Sequence, residues 1–364
     1  MAADRLARVR ARMEELGVDA LLLSLGADLP WLTGYAAHES ERLTMFVVPR
    51  DGDPAMVVPG LEAPKVASVS TVALRPWSET EDPVKLVAAL VGPAARSVAI
   101  SDRTWSTFLL GLQEAMPAVS WLASSTVTSP LRARKDADEI EALRRAAAAA
   151  DVVAASLLGG EIPLIGRREV DVSREIAQRL RDEGHSRVGF SIVGSGPNGA
   201  SPHHDASDKV IGEGEAIVCD FGGWFEGGYC SDITRTVFTG DPPAEFVELY
   251  EVLQRAQAAA VDAAVVGTPC EDVDGVARTI ITDAGYGEYF IHRTGHGIGL
   301  EGHEHPYLVS GNDEPLAPGH AFSIEPGIYI PGRWGARIED IVVATDAGPD
   351  SLNRANHDLH VVEA

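Results

Sequence analysis

The chain is short of cysteine, of basic residues and of long apolar runs, and each shortage removes a class of protein. Three cysteines, Cys219, Cys230 and Cys270, stand in 364 residues. They are too few and too scattered for a disulfide framework or a zinc knuckle, so they read as small buried hydrophobes in a reducing compartment. Lysine and arginine number 30 against 54 acidic residues, a formal net charge of −24. A chain this acidic repels phosphate backbones and anionic bilayers, which argues against nucleic acid or a membrane as partner. No apolar run approaches the ~20 residues needed to span a bilayer. Met1-Ala-Ala-Asp-Arg opens a charged amphipathic stretch, not an apolar signal core, and a cytoplasmic location is expected. What is present, 45% apolar residues, is ample for sizeable cores, and the length suits about two domains.

Leu6, Val9, Met13 and Leu16 recur at helical spacing before Gly17, a natural helix stop. Short apolar runs follow at Ala20–Leu25, Leu43–Pro49 and Ala55–Val58, and further short segments around Val69–Leu74 and Val98–Ser101 alternate with helical stretches. Residues 1–128 therefore read as a small α/β domain. Residues 129–138 are charged, contain Pro130 and lack periodicity, which reads as a linker. In 139–364, helices are expected at Glu139–Leu158, Arg168–Glu183, Glu245–Val265 and Asp272–Ala284. Strands are expected at Val188–Val193, Ala216–Phe221, Arg235–Phe238, Ala321–Ile330 and Ala336–Ala344. Strand pairs beside helix pairs indicate an α+β class with antiparallel sheet. Gly194-Ser-Gly196-Pro-Asn-Gly199 matches a dinucleotide fingerprint, but Pro197 and Pro202 frame a segment that cannot open the required helix. It reads as a turn.

Three clusters carry metal-ligand chemistry. Asp220 ends an apolar strand, a glycine-rich stretch turns the chain back, and a hairpin would set Asp232 beside it. Two carboxylates on one sheet face repel unless something positive lies between them, although exposed turn acids are the ordinary alternative. The second cluster, His292 to His305, holds four of the eleven histidines. Any one of them alone would more often be a polar core or surface residue. His296 stands out because Gly295, Gly297 and Gly299 surround it, leaving room for close backbone approach to a ligand. The third cluster repeats the first: Glu325 and Glu339 face each other across a hairpin turning near Pro331-Gly332. Four carboxylates and one imidazole suit two divalent ions sharing bridging oxygens, with Mn²⁺ or Co²⁺ favoured over a structural zinc.

In order, Asp-Phe-Gly-Gly, Ser-Asp-x-Thr-Arg-Thr, Thr-Gly-His-Gly-Ile-Gly-Leu, Ser-Ile-Glu-Pro-Gly-Ile-Tyr and Arg-Ile-Glu-Asp resemble the pita-bread metallopeptidases over residues 139–364. Residues 1–128, including Leu32-Thr33-Gly34-Tyr35, look like the creatinase-type N-terminal domain of their proline-directed members. The resemblance implies that Asp220, Asp232, His296, Glu325 and Glu339 hold two metal ions, with Asp232 and Glu339 bridging both. It implies catalytic roles for His203, His303 and Glu325, and a homodimer is the form expected of such a chain. His203 is chosen over His204 because it directly follows the small-residue–Pro step. His292 looks substrate-facing, and Arg337 resembles an arginine that braces the site or binds substrate; an ordinary salt bridge would look the same.

The resemblance further implies hydrolysis of Xaa-Pro bonds, as in a prolidase, by a metal-bridging hydroxide whose proton passes through Glu325. Xaa-Pro dipeptides are the expected substrate. Aminopeptidase P-type release of a residue from longer Xaa-Pro peptides stays open, since loops that read the substrate's C-terminus separate the two. A creatinase-like amidinohydrolase or an inactive peptide-binding relative would have lost ligands that are intact here.

Overall fold

The computed structural model describes residues 2–362. The chain divides into two compact units, Met1–Arg132 and Ala133–Ala364. In the first, chain order runs α1 (Ala2–Leu16), β1 (Ala20–Leu23), α2 (Asp28–Thr33), β2 (Met45–Pro49), β3 (Ala55–Pro59) and α3 (Ala63–Val69). It continues through β4 (Ala73–Trp77), α4 (Pro83–Val91), β5 (Ser97–Ile100), α5 (Ser106–Ala115), β6 (Ser120–Ala123) and α6 (Ser125–Ala133). The six strands form one mixed sheet in the order β4-β3-β2-β1-β5-β6. Alternation along the strands puts Ala20, Leu22, Met45, Val47, Val57, Val98 and Ile100 into one core with Val87 of α4 and Leu112 of α5.

Residues 129–138 are not an irregular linker. Ser129 to Ala133 end α6 with Pro130 inside it, and α7 (Ala137–Leu158) starts three residues after Arg134. Asp136 and Glu139 form a reciprocal capping box, the backbone N–H of each donating to the other's side chain at 2.9 Å. Such a cap contributes about 1 kcal/mol, and its residues are the same charged ones that gave the segment its linker-like composition.

The second unit continues with α8 (Glu169–Asp182), β7 (His185–Ser195), β8 (Ala216–Phe225), β9 (Cys230–Thr239), α9 (Ala244–Ala263) and α10 (Cys270–Asp283). Then come β10 (Gly295–Gly297), β11 (Glu304–Leu308), β12 (Ala321–Ile324), β13 (Gly327–Ile330), β14 (Trp334–Arg337), β15 (Asp340–Thr345), β16 (Gly348–Ser351) and β17 (His360–Val362). One sheet has the order β17-β9-β8-β7, another β11-β10-β12-β15-β16, and β13-β14 is a separate ribbon. The fingerprint-like glycines end β7 and enter a 3₁₀ turn, Gly196–Ala200. Among the described residues no helix is long and apolar enough to cross a membrane.

Strand parity decides what reaches the centre. Ile217, Cys219 and Phe221 of β8, with Ile233 and Val237 of β9, pack against Val153, Leu157, Val172 and Ile176 of α7 and α8. Their even-numbered neighbours therefore face the other way, and Asp220, Asp232 and Thr234 are among them. Likewise Ile324 and Ile338 enter the core with Leu249 and Leu253 of α9 and Val273 of α10. Glu325 and Glu339, one residue on, are turned off that core. The three cysteines are free and buried.

Candidate metal centre

Asp220 is paired across the ladder with Thr234, and Asp232 with Gly222. The two acids are thus diagonal neighbours on one face of the ladder. Thr234 occupies the intervening position, and its hydroxyl donates to Glu339 Oε2 at 2.6 Å. The expected strands 321–330 and 336–344 are each broken at the acid. Ile324 pairs with Asp340 in one sheet and Gly327 with Arg337 in the other, so the same register carries across the break and sets Glu325 opposite Glu339. Pro326 has no N–H to donate and interrupts the ladder there. Released from it, Glu325 N–H donates to Thr294 O at 2.8 Å and Glu339 N–H to Thr234 O at 3.2 Å. Those bonds tie the acid-bearing segments to the other strands of the site.

His296 is buried on the short strand β10. The glycines around it serve strand packing, not ligand approach. A Cβ on Gly295 would lie 1.9 Å from Ser323 O, and one on Gly297 2.2 Å from His305 O. His296 Nδ1 faces Gly297 O at 3.1 Å, while Nε2 points to Glu325 Oε1 at 3.2 Å and Asp232 Oδ2 at 3.8 Å. Ligand atoms of Asp232, His296 and Glu339 all fall within 4.8 Å of one another.

The electrostatics demand a positive partner. Burial raises the pKa of Asp220, partly offset by Arg337 and reinforced by Glu325. Burial, then Asp220 and Glu325, push Asp232 well above the usual carboxylate range, and burial with Asp232, Glu325 and Asp220 does the same to Glu339. Burial also opposes the charge on Glu325, but the bond from His296 and the nearby His292 and Arg337 outweigh it and hold Glu325 at about 2. Asp220 Oδ1 is buried and has no hydrogen-bond partner. An orphaned carboxylate oxygen, crowded acids and an imidazole nitrogen turned toward them are the kind of ligands that suit divalent metal.

Around this centre, Arg337 is 2% exposed and fully committed. Its guanidinium donates to Asp220 Oδ2, to Tyr329 OH at 2.6 Å and to Thr234 Oγ1 at 3.1 Å, with Pro202 O at 3.4 Å. Each N–H of the guanidinium therefore has an acceptor within the protein. His292 is half-buried, its Nδ1 against Arg293 O at 2.7 Å and Nε2 against Tyr329 OH at 2.9 Å. With Nδ1–H donating to the carbonyl, the Tyr329 hydroxyl donates to Nε2 while accepting from Arg337. His303 is exposed, and its ring centroid stands 3.9 Å from that of His296. His203 is exposed too; burial lowers the pKa of both His292 and His303, and the nearby charge of His203 adds to the lowering. His204, in contrast, is bonded to buried Glu169 at 2.9 Å.

Residues 141–346 match the model of metallopeptidase family M24. The chain belongs to that family. Residues 5–134 match the creatinase/prolidase N-terminal domain, which makes this an M24 hydrolase with a creatinase-like first unit and a pita-bread second unit. A protein named probable dipeptidase PepE from Mycobacterium bovis is 47% identical, over 99% of this chain and 96% of its own. An Xaa-Pro dipeptidase from Lactobacillus delbrueckii is 36% identical, covering 96% of each chain. The crystal structure of a recombinant prolidase from Thermococcus sibiricus superposes with a TM-score of 0.93 at 36% identity, over 99% of both chains.

Sequence reading missed three residues of this M24 site. Thr234 could have been found by parity, two residues past Asp232 on the same face. Tyr329 carries the same signal four residues past Glu325. Glu169 had none, because it sits in an ordinary helix first turn and its partners lie at 195–207.

Proposed function

We propose that the chain hydrolyses Xaa-Pro dipeptides with two divalent cations that Asp220, Asp232, His296, Glu325 and Glu339 would hold. The observation that carries this is the buried cluster of Asp232, His296 and Glu339, with half-buried Glu325 3.2 Å from His296 and Asp220 Oδ1 left without a protein partner. Mn²⁺ or Co²⁺ bound there would polarise the scissile carbonyl and bring the pKa of a water toward neutrality. Glu325, the acid kept ionised, accepts the proton of the attacking water and passes it to the leaving nitrogen. His203 and His303, exposed beside the cluster, donate hydrogen bonds to the negative charge that develops on the carbonyl oxygen. Arg337 and Tyr329 hold Asp220 and His292 in place while this happens.

The dipeptide preference is supported by the names of the relatives at 47% and 36% identity, both dipeptidases. The test is hydrolysis of Xaa-Pro dipeptides against Xaa-Pro-Xaa tripeptides, before and after chelation and with Mn²⁺ or Co²⁺ restored. Dipeptide turnover lost on chelation and regained with metal is the expected result. Faster cleavage of tripeptides would move the assignment to an aminopeptidase. Urea released from creatine, with neither peptide cut, would sink the peptidase reading.

A further inference from the structure

Residues 196–207 contain no strand or α-helix, only a 3₁₀ turn, yet they carry His203 to the edge of the metal centre. One buried carboxylate gathers this segment. Glu169, at the start of α8, is 0% exposed. Its Oε1 accepts from Ser195 N at 2.8 Å, Ser195 Oγ at 2.6 Å and Asn198 Nδ2 at 3.0 Å. Its Oε2 accepts from Asn198 Nδ2 at 3.0 Å, His204 Nε2 at 2.9 Å, Ser207 N at 3.1 Å and Ser207 Oγ at 2.7 Å. So many donors drawn from four points of one loop exceed what a helix start needs. They satisfy a buried charge and immobilise the loop at once. On the other side of His203, Pro202 O is reached by Arg337. His203 therefore stands between two pinned neighbours, while its own exposed ring makes no hydrogen bond within the described residues.

We propose that Glu169 is a positioning residue for the proline-directed hydrolysis, setting the place of His203 through His204 and the two serines. The inference rests on His203 acting as a transition-state donor. Charge and shape are both required. An amide at 169 would turn an NH₂ toward either Ser195 N–H or Ser207 N–H, and a backbone N–H cannot become an acceptor. Whichever way the amide is flipped, one end of the loop is pushed off.

The test is a double-mutant cycle on the metal-loaded enzyme with an Xaa-Pro dipeptide. His203→Ala should lower kcat by about 10²–10³-fold, the range for removing one transition-state donor. Glu169→Gln should lower kcat by at least about tenfold without exceeding that loss, and with bound metal unchanged. Combined, the two should fall no more than about twofold below His203→Ala alone, because the second change removes what the first positions. His204→Gln, which keeps an N–H donor for Glu169, should retain more activity than His204→Leu, and that pair carries the same cycle should Glu169→Gln not fold. Losses that multiply, or full kcat in Glu169→Gln, would overturn the proposal. Full activity of His203→Ala would instead overturn the role of His203 itself, and the proposal with it.

Discussion

Replacing Asp232 with asparagine should have opposite effects on the metal-free and metal-loaded protein. Asp232 is buried, diagonal to Asp220 and 3.8 Å from His296 Nε2, and its pKa is raised by burial, then by Asp220 and Glu325. A carboxyl whose folded pKa exceeds its unfolded value of about 4 binds its proton more tightly in the folded state. Its contribution is present at low pH and is lost as pH rises from about 4 through the raised folded value. Asp232, Glu339 and Asp220 all share that direction. These carboxyls thus cost chelated wild-type protein stability between pH 5 and pH 8, while His185, His292, His303 and His320, whose pKa burial lowers, act in the opposite sense. Asp232→Asn removes one such carboxyl and offers an amide donor to the acids nearby, so the chelated variant should melt above chelated wild type at pH 8. A gain of about 1–3 kcal/mol, the cost of leaving one buried polar group uncompensated, corresponds to roughly 2–12 °C in a unit of this size. Metal reverses the order. A cation at a hundred times its Kd stabilises by about 2.7 kcal/mol, roughly 5–11 °C, and an amide cannot bridge two ions to receive that gain. Thermal melting of chelated and Mn²⁺-loaded samples, with elemental analysis, reads both signs. Wild-type metal uptake by the variant, or a chelated variant that melts below chelated wild type at pH 8, would refute the reasoning.

Arg337→Lys keeps a charge but not the fork that meets Asp220, Tyr329 and Thr234 together; calorimetric titration should show metal affinity weakened by about 10–100-fold, and an unchanged Kd would remove the bracing role. Tyr329→Phe deletes the hydroxyl shared by Arg337 and His292, and denaturant unfolding should register a loss of about 1–3 kcal/mol. Gly297→Ala would place a Cβ 2.2 Å from His305 O, so the melting temperature should fall by roughly 2–12 °C; a variant that melts like wild type would mean that the strands at His296 can separate freely.

The ligand-type residues are legible in the sequence because each sits where a local pattern changes. Asp220 closes an apolar run, Asp232 opens the return strand, and Glu325 and Glu339 interrupt two more. Period-two alternation is enough to place Asp220 and Asp232 on one face, since parity survives a register error of two residues. The register itself is not legible, nor is the break of the later strands into two sheets, because hydrogen-bond partners there are chosen by the whole sheet. The segment 129–138 misleads for a related reason: the charges that resemble a linker are the ones that cap a helix.

By itself, then, the sequence determined the acids, the histidine, the face that Asp220 and Asp232 share and the longer helices, all from patterns a few residues long. Tertiary structure decided the rest. It brought Arg337 to Asp220, 117 residues away in the chain. It gave His204 to Glu169, 35 residues earlier, and left His203 exposed beside the centre. A side chain's role follows from which donors and acceptors remain unpaired after folding, and for these residues the pairing partners come from strands and loops that no local window contains.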